Sequence, residues 1–241
     1  MPLQLQPVDP EADFAELIEC MWEAFETPYQ KWFRITCPIH GTGPTARADS
    51  LAECTARYLA YYQSATGGQW VKVVGDDGKI VGGAWWKIFS ENPYAAKDGA
   101  PRPLVTWYPE GPQRDYVTAA LRAVDAPKRK MATRPHVNLN ILFTHPEHRR
   151  QGVADLLLSW GIVKADERGV ETWVSASDFG RHAYEKHGFI CVDSSHACPT
   201  TDTPSEEWDM IKNQLTPMPV STMWRPPGGK YEPGVTVKPW E

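Results

Sequence analysis

HVNLNILFTHPEHRRQGVAD, residues 136–155, joins an apolar strand pattern to a helix pattern through a loop rich in cations. Val137, Leu139, Ile141 and Phe143 alternate with His136, Asn138 and Asn140, so the spacing predicts a strand with an apolar face and a polar face, the latter joined by Leu142. Val153, Leu156, Leu157 and Trp160 then recur at helical spacing, which predicts a helix over 152–168 stopped by Gly169. Between them lies Arg149-Arg150-Gln151-Gly152-Val153-Ala154. A helix start leaves backbone N–H groups unpaired and carries partial positive charge. Gly152 and Ala154 leave room for a bulky anion and two arginines add charge, which suits a phosphate or pyrophosphate. Read alone, the same residues fit an ordinary tight strand-to-helix turn equally well.

Working outward, Thr172–Ala176 reads as a strand, Asp178–His187 as a short helix stopped by Gly188, and Phe189–Val192 as another strand. Upstream, Leu3, Leu5 and Val8 suggest a first strand. Asp9 and Pro10 suggest the start of a helix carrying Phe14, Leu17, Ile18, Met21, Trp22 and Phe25. Residues 26–47 read as a loop, followed by a helix with Leu51, Cys54, Tyr58, Leu59 and Tyr62 on one side and Gly67–Gly68 after its end. Trp70–Val74 and Ile80–Phe89 form a hairpin around Gly75-Asp76-Asp77-Gly78. Residues 90–132 read as an insertion with one short helix around Tyr116–Val124. From about 194 the chain reads as a Pro-rich tail with one last strand at Val220–Trp224. This order predicts an α/β fold with a mixed, partly parallel sheet flanked by helices, in a single domain over 1–241.

The bulk numbers set limits. The 241 residues are 41% hydrophobic and 23% charged, as in an ordinary globular protein, and the net charge of −5 argues against a broad basic surface for nucleic acid. That balance favours a positively charged peptide or amine as substrate. No run approaches the ~18 apolar residues of a membrane span, and the first residues lack the pattern of a signal peptide. Cys20, Cys37, Cys54, Cys191 and Cys198 are odd in number and irregularly spaced, so a reducing, cytoplasmic setting is expected. Cys37-Pro38-Ile39-His40 has no second pair at ligand spacing, so no metal is expected. Most of the eleven Trp are expected in the core.

Arg149-x-x-Gly152-x-Ala154 after a strand ending Phe143-Thr144-His145-Pro146-Glu147 resembles motif A of the GNAT superfamily of N-acetyltransferases, and Tyr184–Phe189 resembles its motif B, Tyr-x-x-x-Gly-Phe. The close resemblance covers about 136–192. It implies the acyl-CoA N-acyltransferase fold and acetyl-CoA as acyl donor. By the same resemblance, backbone groups of Leu142, Phe143 and Thr144 pair with the pantetheine arm, and an N–H at or near Leu142 polarises the thioester carbonyl. Main-chain N–H groups of Gln151, Gly152, Val153 and Ala154, helped by Arg149 and Arg150, hold the pyrophosphate, with Ser177 and Gly180 also on the cofactor. Tyr184, one turn after Gly180, is the expected proton donor to the leaving thiolate; the plain alternative is a packing tyrosine.

The base is not evident. Asn138 and Asn140 stand where arylalkylamine acetyltransferases, a branch of the family, carry a histidine pair, and asparagine does not titrate. They are expected to hold relay waters or to bind the acceptor, unless they merely line a polar face; His136 is a more distant candidate. The loop between the first two helices contributes Tyr29, Trp32 and Phe33, which with Trp85 and Trp86 are the expected acceptor wall, although core packing suits any one of them as well. The reading is transfer of an acetyl group to a primary amine, of a small molecule, in a ternary complex. Its alternatives are acetylation of a protein N-terminus or lysine, and a CoA-binding regulatory module without turnover.

Overall fold

The computed structural model describes residues 3–64, 68–95 and 105–241. Seven strands among them form one sheet: β1 (Gln4–Pro7), β2 (Gly68–Val74), β3 (Ile80–Phe89), β4 (His136–Thr144), β5 (Glu171–Ala176), β6 (Ile190–His196) and β7 (Pro219–Arg225). Their order is β1-β2-β3-β4-β5-β7-β6, with β4–β5 parallel and every other neighbouring pair antiparallel. The helices are α1 (Phe14–Glu26), the single turn α2 (Phe33–Thr36), α3 (Ala46–Ser64), α4 (Pro112–Met131), α5 (Val153–Asp166), α6 (Asp178–Lys186) and α7 (Glu206–Leu215). This is the mixed, helix-flanked sheet that the sequence predicts.

The parallel β4–β5 pair is joined by α5, whose apolar stripe packs Val153, Leu157, Leu158 and Ile162 with Trp86, Val137, Leu139, Val174 and Met223 on one face of the sheet. The opposite face carries α1 and α3 over Trp70, Trp85 and Phe143. Further along, Met131 at the end of α4 packs with Trp173 and Trp224. Tryptophans thus fill both layers.

The alternation read along β4 does not hold throughout. The β3–β4 register pairs Trp86 with Leu139 but Trp85 with Ile141, which leaves Asn140 as a β-bulge. One extra residue reverses the side-chain alternation. Val137 and Leu139 therefore face α5 together with Leu142, whereas Ile141 and Phe143 turn to the α1 side, where Asn138 already points.

Residues 90–132 differ most from the sequence reading. Instead of an irregular insertion with one short helix, α4 runs for 20 residues, with Pro127 inside it; residues 96–104 lie outside the described part. Tyr116, Val117 and Ala120 of α4 pack on Trp208, Ile211 and Leu215 of α7, a helix not foreseen in the tail. The tail is also structural: β7 inserts between β5 and β6. At the N-terminus, Asp9 accepts N–H bonds from Glu11 and Ala12 in a turn, and the helix begins only at Phe14. The expected 26–47 loop contains α2 and the start of α3; of the Gly67–Gly68 pair, Gly68 opens β2 and Gly67 is outside the described residues.

Gly161 sets how closely α5 approaches the sheet, since a Cβ there would overlap the Trp86 indole. Gly161→Ala gains about 1 kcal/mol of helix propensity, and overpacking a buried indole costs about 1–3 kcal/mol. The overlap is expected to win, lowering the urea midpoint of unfolding at constant m. A midpoint at or above that of the parent would show that the indole yields freely.

Candidate active site

The β4–β5 ladder ends at Leu139–Val174, although β4 continues to Thr144. From Asn140 onward β4 therefore has a partner on its β3 side only. His145 N–H donates to the Val81 carbonyl at 2.9 Å, and antiparallel pairing alternates, so Phe143 faces Gly83 with its backbone groups. Leu142 and Thr144 then aim their N–H and C=O groups away from β3, into the gap between β4 and β5. Of the three backbone segments expected to pair with a ligand, Leu142 and Thr144 are free to do so and Phe143 is engaged within the sheet.

That gap is a cavity of about 580 Å3 lined by Leu139–Thr144, Arg149, Arg150, Gly152–Asp155, Ser175, Ser177, Gly180 and Tyr184. At its far end the loop before α5 takes left-handed backbone at Arg150 (φ 62°) and Gly152 (φ 90°). These turns bring the chain to the helix start, where the first intrahelical bond is Leu156 N–H to Gly152 C=O. The N–H groups of Gly152–Asp155 precede it and are open to an anion. Nothing lies within 4 Å of a Cβ built on Gly152, so the space above the loop is clear. The arginines divide. Arg150 is exposed beside the loop, whereas Arg149 donates through Nη2 to the Ala24 carbonyl at 2.8 Å and ties the loop to the end of α1.

Tyr184 is buried on α6 with its ring against Phe189 and lines the cavity. Gly180 is accounted for by this ring: a Cβ there would lie 2.8 Å from Tyr184 Cε2 and 3.1 Å from its hydroxyl oxygen. The missing side chain makes room for the phenol, a nearer cause than the expected approach of a cofactor. Burial pushes the Tyr184 phenol well above its ordinary value, so it carries its proton throughout the neutral range.

A second cavity, about 300 Å3, opens on the other side of the bulge and shares Trp32, Leu139, Asn140, Ile141, Ser175 and Ser177 with the first. Asn140 stands where the two meet and accepts a hydrogen bond from Asn138 Nδ2. Asn138 itself is buried behind it, away from both cavities, with Oδ1 unpaired among the described residues. Of the aromatic residues expected in an acceptor wall, only some line a cavity. Trp32 lines both cavities and Trp85 the second. Tyr29 is 51% exposed and lines neither; Phe33 is buried among Trp22, Phe25 and Trp32; Trp86 lies on the opposite face under α5. The sequence reading missed Lys87, Asp125 and Lys128, which line the second cavity. For two of them the sequence carries a signal, since Leu121, Val124, Asp125 and Lys128 share one face of a helix at i, i+3, i+4, i+7; Lys87, on β3, has none.

His136 lines neither cavity. It is buried, bonded through Nδ1 to the Arg134 carbonyl at 2.7 Å, and set against Phe89 and Tyr94. Cys37 lies 3.3 Å from Cys54 sulfur to sulfur, while His40 Nε2 meets the Trp107 carbonyl, so the two point to different neighbours. Among the described residues no group of three His, Cys, Asp or Glu is placed to hold a metal, and no helix is long and apolar enough to cross a membrane.

A family model described as "Acetyltransferase (GNAT) family" matches residues 29–189. Solved structures share the fold at low identity. Arylalkylamine N-acetyltransferase 2 from Aedes aegypti aligns over 92% of this chain and 98% of its own, at 14% identity and a TM-score of 0.61. The polyamine N-acetyltransferase of Drosophila melanogaster gives 92% and 98%, 12% identity and 0.58. A Corynebacterium glutamicum protein described as histone acetyltransferase HPA2 and related acetyltransferase gives 98% and 100%, 20% identity and 0.52. No protein of curated function matches the sequence.

Burial holds the His136 imidazole below its ordinary value, so the folded protein keeps it neutral while the unfolded chain binds a proton near pH 6.5. Stability is therefore expected to be fully present above that pH and to fall as pH is lowered from 7 towards 5. Urea titrations of His136→Phe should show a flatter dependence in this window; an unchanged slope would remove His136 as its source.

Proposed function

Because the chain belongs to the acetyltransferase (GNAT) family, which takes its acyl group from acetyl-CoA, we propose that it acetylates the primary amine of a small molecule by direct attack within a ternary complex. The observation that carries this reading is the junction of two cavities at Asn140, one with an open strand edge and a helix start, the other with an aromatic and charged wall. A donor lying along β4 would bond Leu142 and Thr144 like an added strand. Its pyrophosphate would meet the N–H groups of Gly152–Asp155, with Arg150 adding charge. The fit rests on the clear space above Gly152 and the unpaired strand edge.

The bound donor supplies an electrophilic thioester. The chain's own groups orient the reactants and handle charge. The Leu142 N–H, aimed into the gap, is placed to take the charge that builds on the carbonyl oxygen during attack. The amine nitrogen enters from the second cavity past Asn140, forms the C–N bond as the C–S bond breaks, and releases one proton. Asn140 does not titrate, so its part is to hold the amine or a water that carries that proton away. Tyr184, kept protonated by burial, offers its hydrogen to the departing sulfur. A phenol this hard to ionise is a weak acid, so it acts by hydrogen-bonding the charge that builds on the sulfur and keeps its own proton, while the proton lost by the amine leaves through water.

A small acceptor is favoured because the second cavity, lined from α3, α4, β3 and the Met218–Val220 segment, holds only about 300 Å3. Incubation with acetyl-CoA and a panel of small amines, following free thiol, tests the reading; no release with any amine would reject it.

Two variants separate the parts. Gly152→Glu places a carboxylate where the pyrophosphate is expected and should weaken acetyl-CoA binding by about tenfold or more in calorimetry. Gly152→Ala meets no neighbour and reports the left-handed backbone cost alone. Equal affinities would take the loop out of the site. Tyr184→Phe should lower kcat by about ten- to a thousandfold while leaving acetyl-CoA affinity within about threefold. The parent enzyme should show no falling limb from this group up to pH 10; unchanged turnover of Tyr184→Phe would return Tyr184 to a packing role.

A further inference from the structure

The second cavity is not electrically neutral. Leu121, Val124, Asp125 and Lys128 form one stripe of α4, and they face Trp85 and Lys87 of β3 across the cavity. Lys128 is 94% removed from solvent, being 6% exposed. Its only ion-pair partner among the described residues, Asp125 on the same helix, stands at 3.8 Å, beyond hydrogen-bond reach, and is itself half exposed to water. Lys87 rests its ammonium 4.7 Å from the centre of the Trp85 ring. Two cations against one solvated carboxylate leave the cavity with net positive charge. Burial pushes both lysines below their ordinary value; the Asp125 carboxylate raises each in part, and the nearby Lys87 charge lowers Lys128 further. A desolvated cation without a close counter-charge is costly, and a ligand that supplies the anion removes the cost.

Other polar groups of the same walls lack partners. Trp85 Nε1 and Ser175 Oγ are buried and unbonded among the described residues. Apart from Thr36, Asn140 and Ser177, the rest of the wall is apolar or aromatic, with Trp32, Tyr58, Val124 and Ile141.

We propose that the acceptor is an amine that also carries a carboxylate, of amino-acid type with an apolar body, and that Lys128 and Lys87 bind this carboxylate. This rests on the small-amine reading above and narrows it. The acceptor's amine would lie at the Asn140 junction, its apolar part against Trp32 and Trp85, and its carboxylate at the α4 wall. The overall charge of −5 had favoured a cationic acceptor; the local charge of the cavity is of the opposite sense and decides what enters.

The test compares matched acceptors with and without the carboxylate: phenylalanine with phenethylamine, tryptophan with tryptamine, and straight-chain ω-amino acids with the corresponding alkylamines. Thiol release from acetyl-CoA is followed, and acetyl-CoA binding is measured in parallel by calorimetry. In the parent enzyme at least one carboxylate-bearing member should exceed its partner in kcat/KM by about ten- to a hundredfold. Lys128→Met, which keeps the apolar stem, should collapse that ratio to within about threefold, chiefly through KM for the amino acid. Lys87→Met should lower the ratio in the same direction, and serves alone should Lys128→Met fail to fold. Simple amines preferred throughout, with ratios unmoved by either substitution, would overturn the carboxylate assignment while leaving amine acetylation standing. No thiol release from any pair despite tight acetyl-CoA binding would overturn both.

Discussion

The parallel ladder between β4 and β5 stops at Leu139–Val174, and the rest of the site depends on that early end. Had the two strands stayed paired to Thr144, the N–H and C=O groups of Leu142 and Thr144 would be spent inside the sheet and no cavity would exist between them. A bulge at Asn140 accompanies the separation. Because the bulge inserts one residue, it turns Leu142 towards α5 and Ile141 towards α1, and it leaves Asn140 at the mouth of both cavities. At this one irregularity the groove between β4 and β5 opens, a polar side chain stands at its end and a second chamber joins it.

Around this gap the fold is tied together by specific contacts. α5 is held against the sheet by Gly161 and Trp86, which fixes the helix start that faces the groove. Arg149 binds the loop before α5 to the Ala24 carbonyl at the end of α1, so the two layers meet at the site. On the far side, Glu171 is buried and accepts bonds from Arg134, Trp173 and Trp224. These contacts close the other end of the β4–β5 pair, where the strands remain together.

Much of this was legible because it is local. The strand-to-helix turn with Gly152, the i, i+3, i+4 stripe of α5 and the Tyr184–Phe189 segment each announce themselves within a few residues. The bulge did not, since His136–Thr144 satisfies a strict alternation on paper and only the β3 register reveals the extra residue. α4 was hidden by Pro127 and by a charged composition; its apolar positions make sense once Trp208 and Leu215, some ninety residues later, pack on them. Tyr29 and Phe33 belong to the same loop as Trp32 but lie on its outer and inner sides, a distinction that burial settles and spacing does not. Lys128 shares a helical face with Leu121 and Val124, but a lysine in a helix is ordinarily solvated, so that spacing alone does not say that this one is enclosed.

The central claim is that the unpaired edge of β4 and the start of α5 together bind the acyl donor. Amide hydrogen exchange with residue resolution, with and without acetyl-CoA, measures this directly. The amides of Leu142, Thr144 and Gly152–Asp155 should gain protection on binding, while Phe143, already bonded within the sheet, should change little. Protection that leaves these amides untouched, or that rises equally at Phe143, would contradict it.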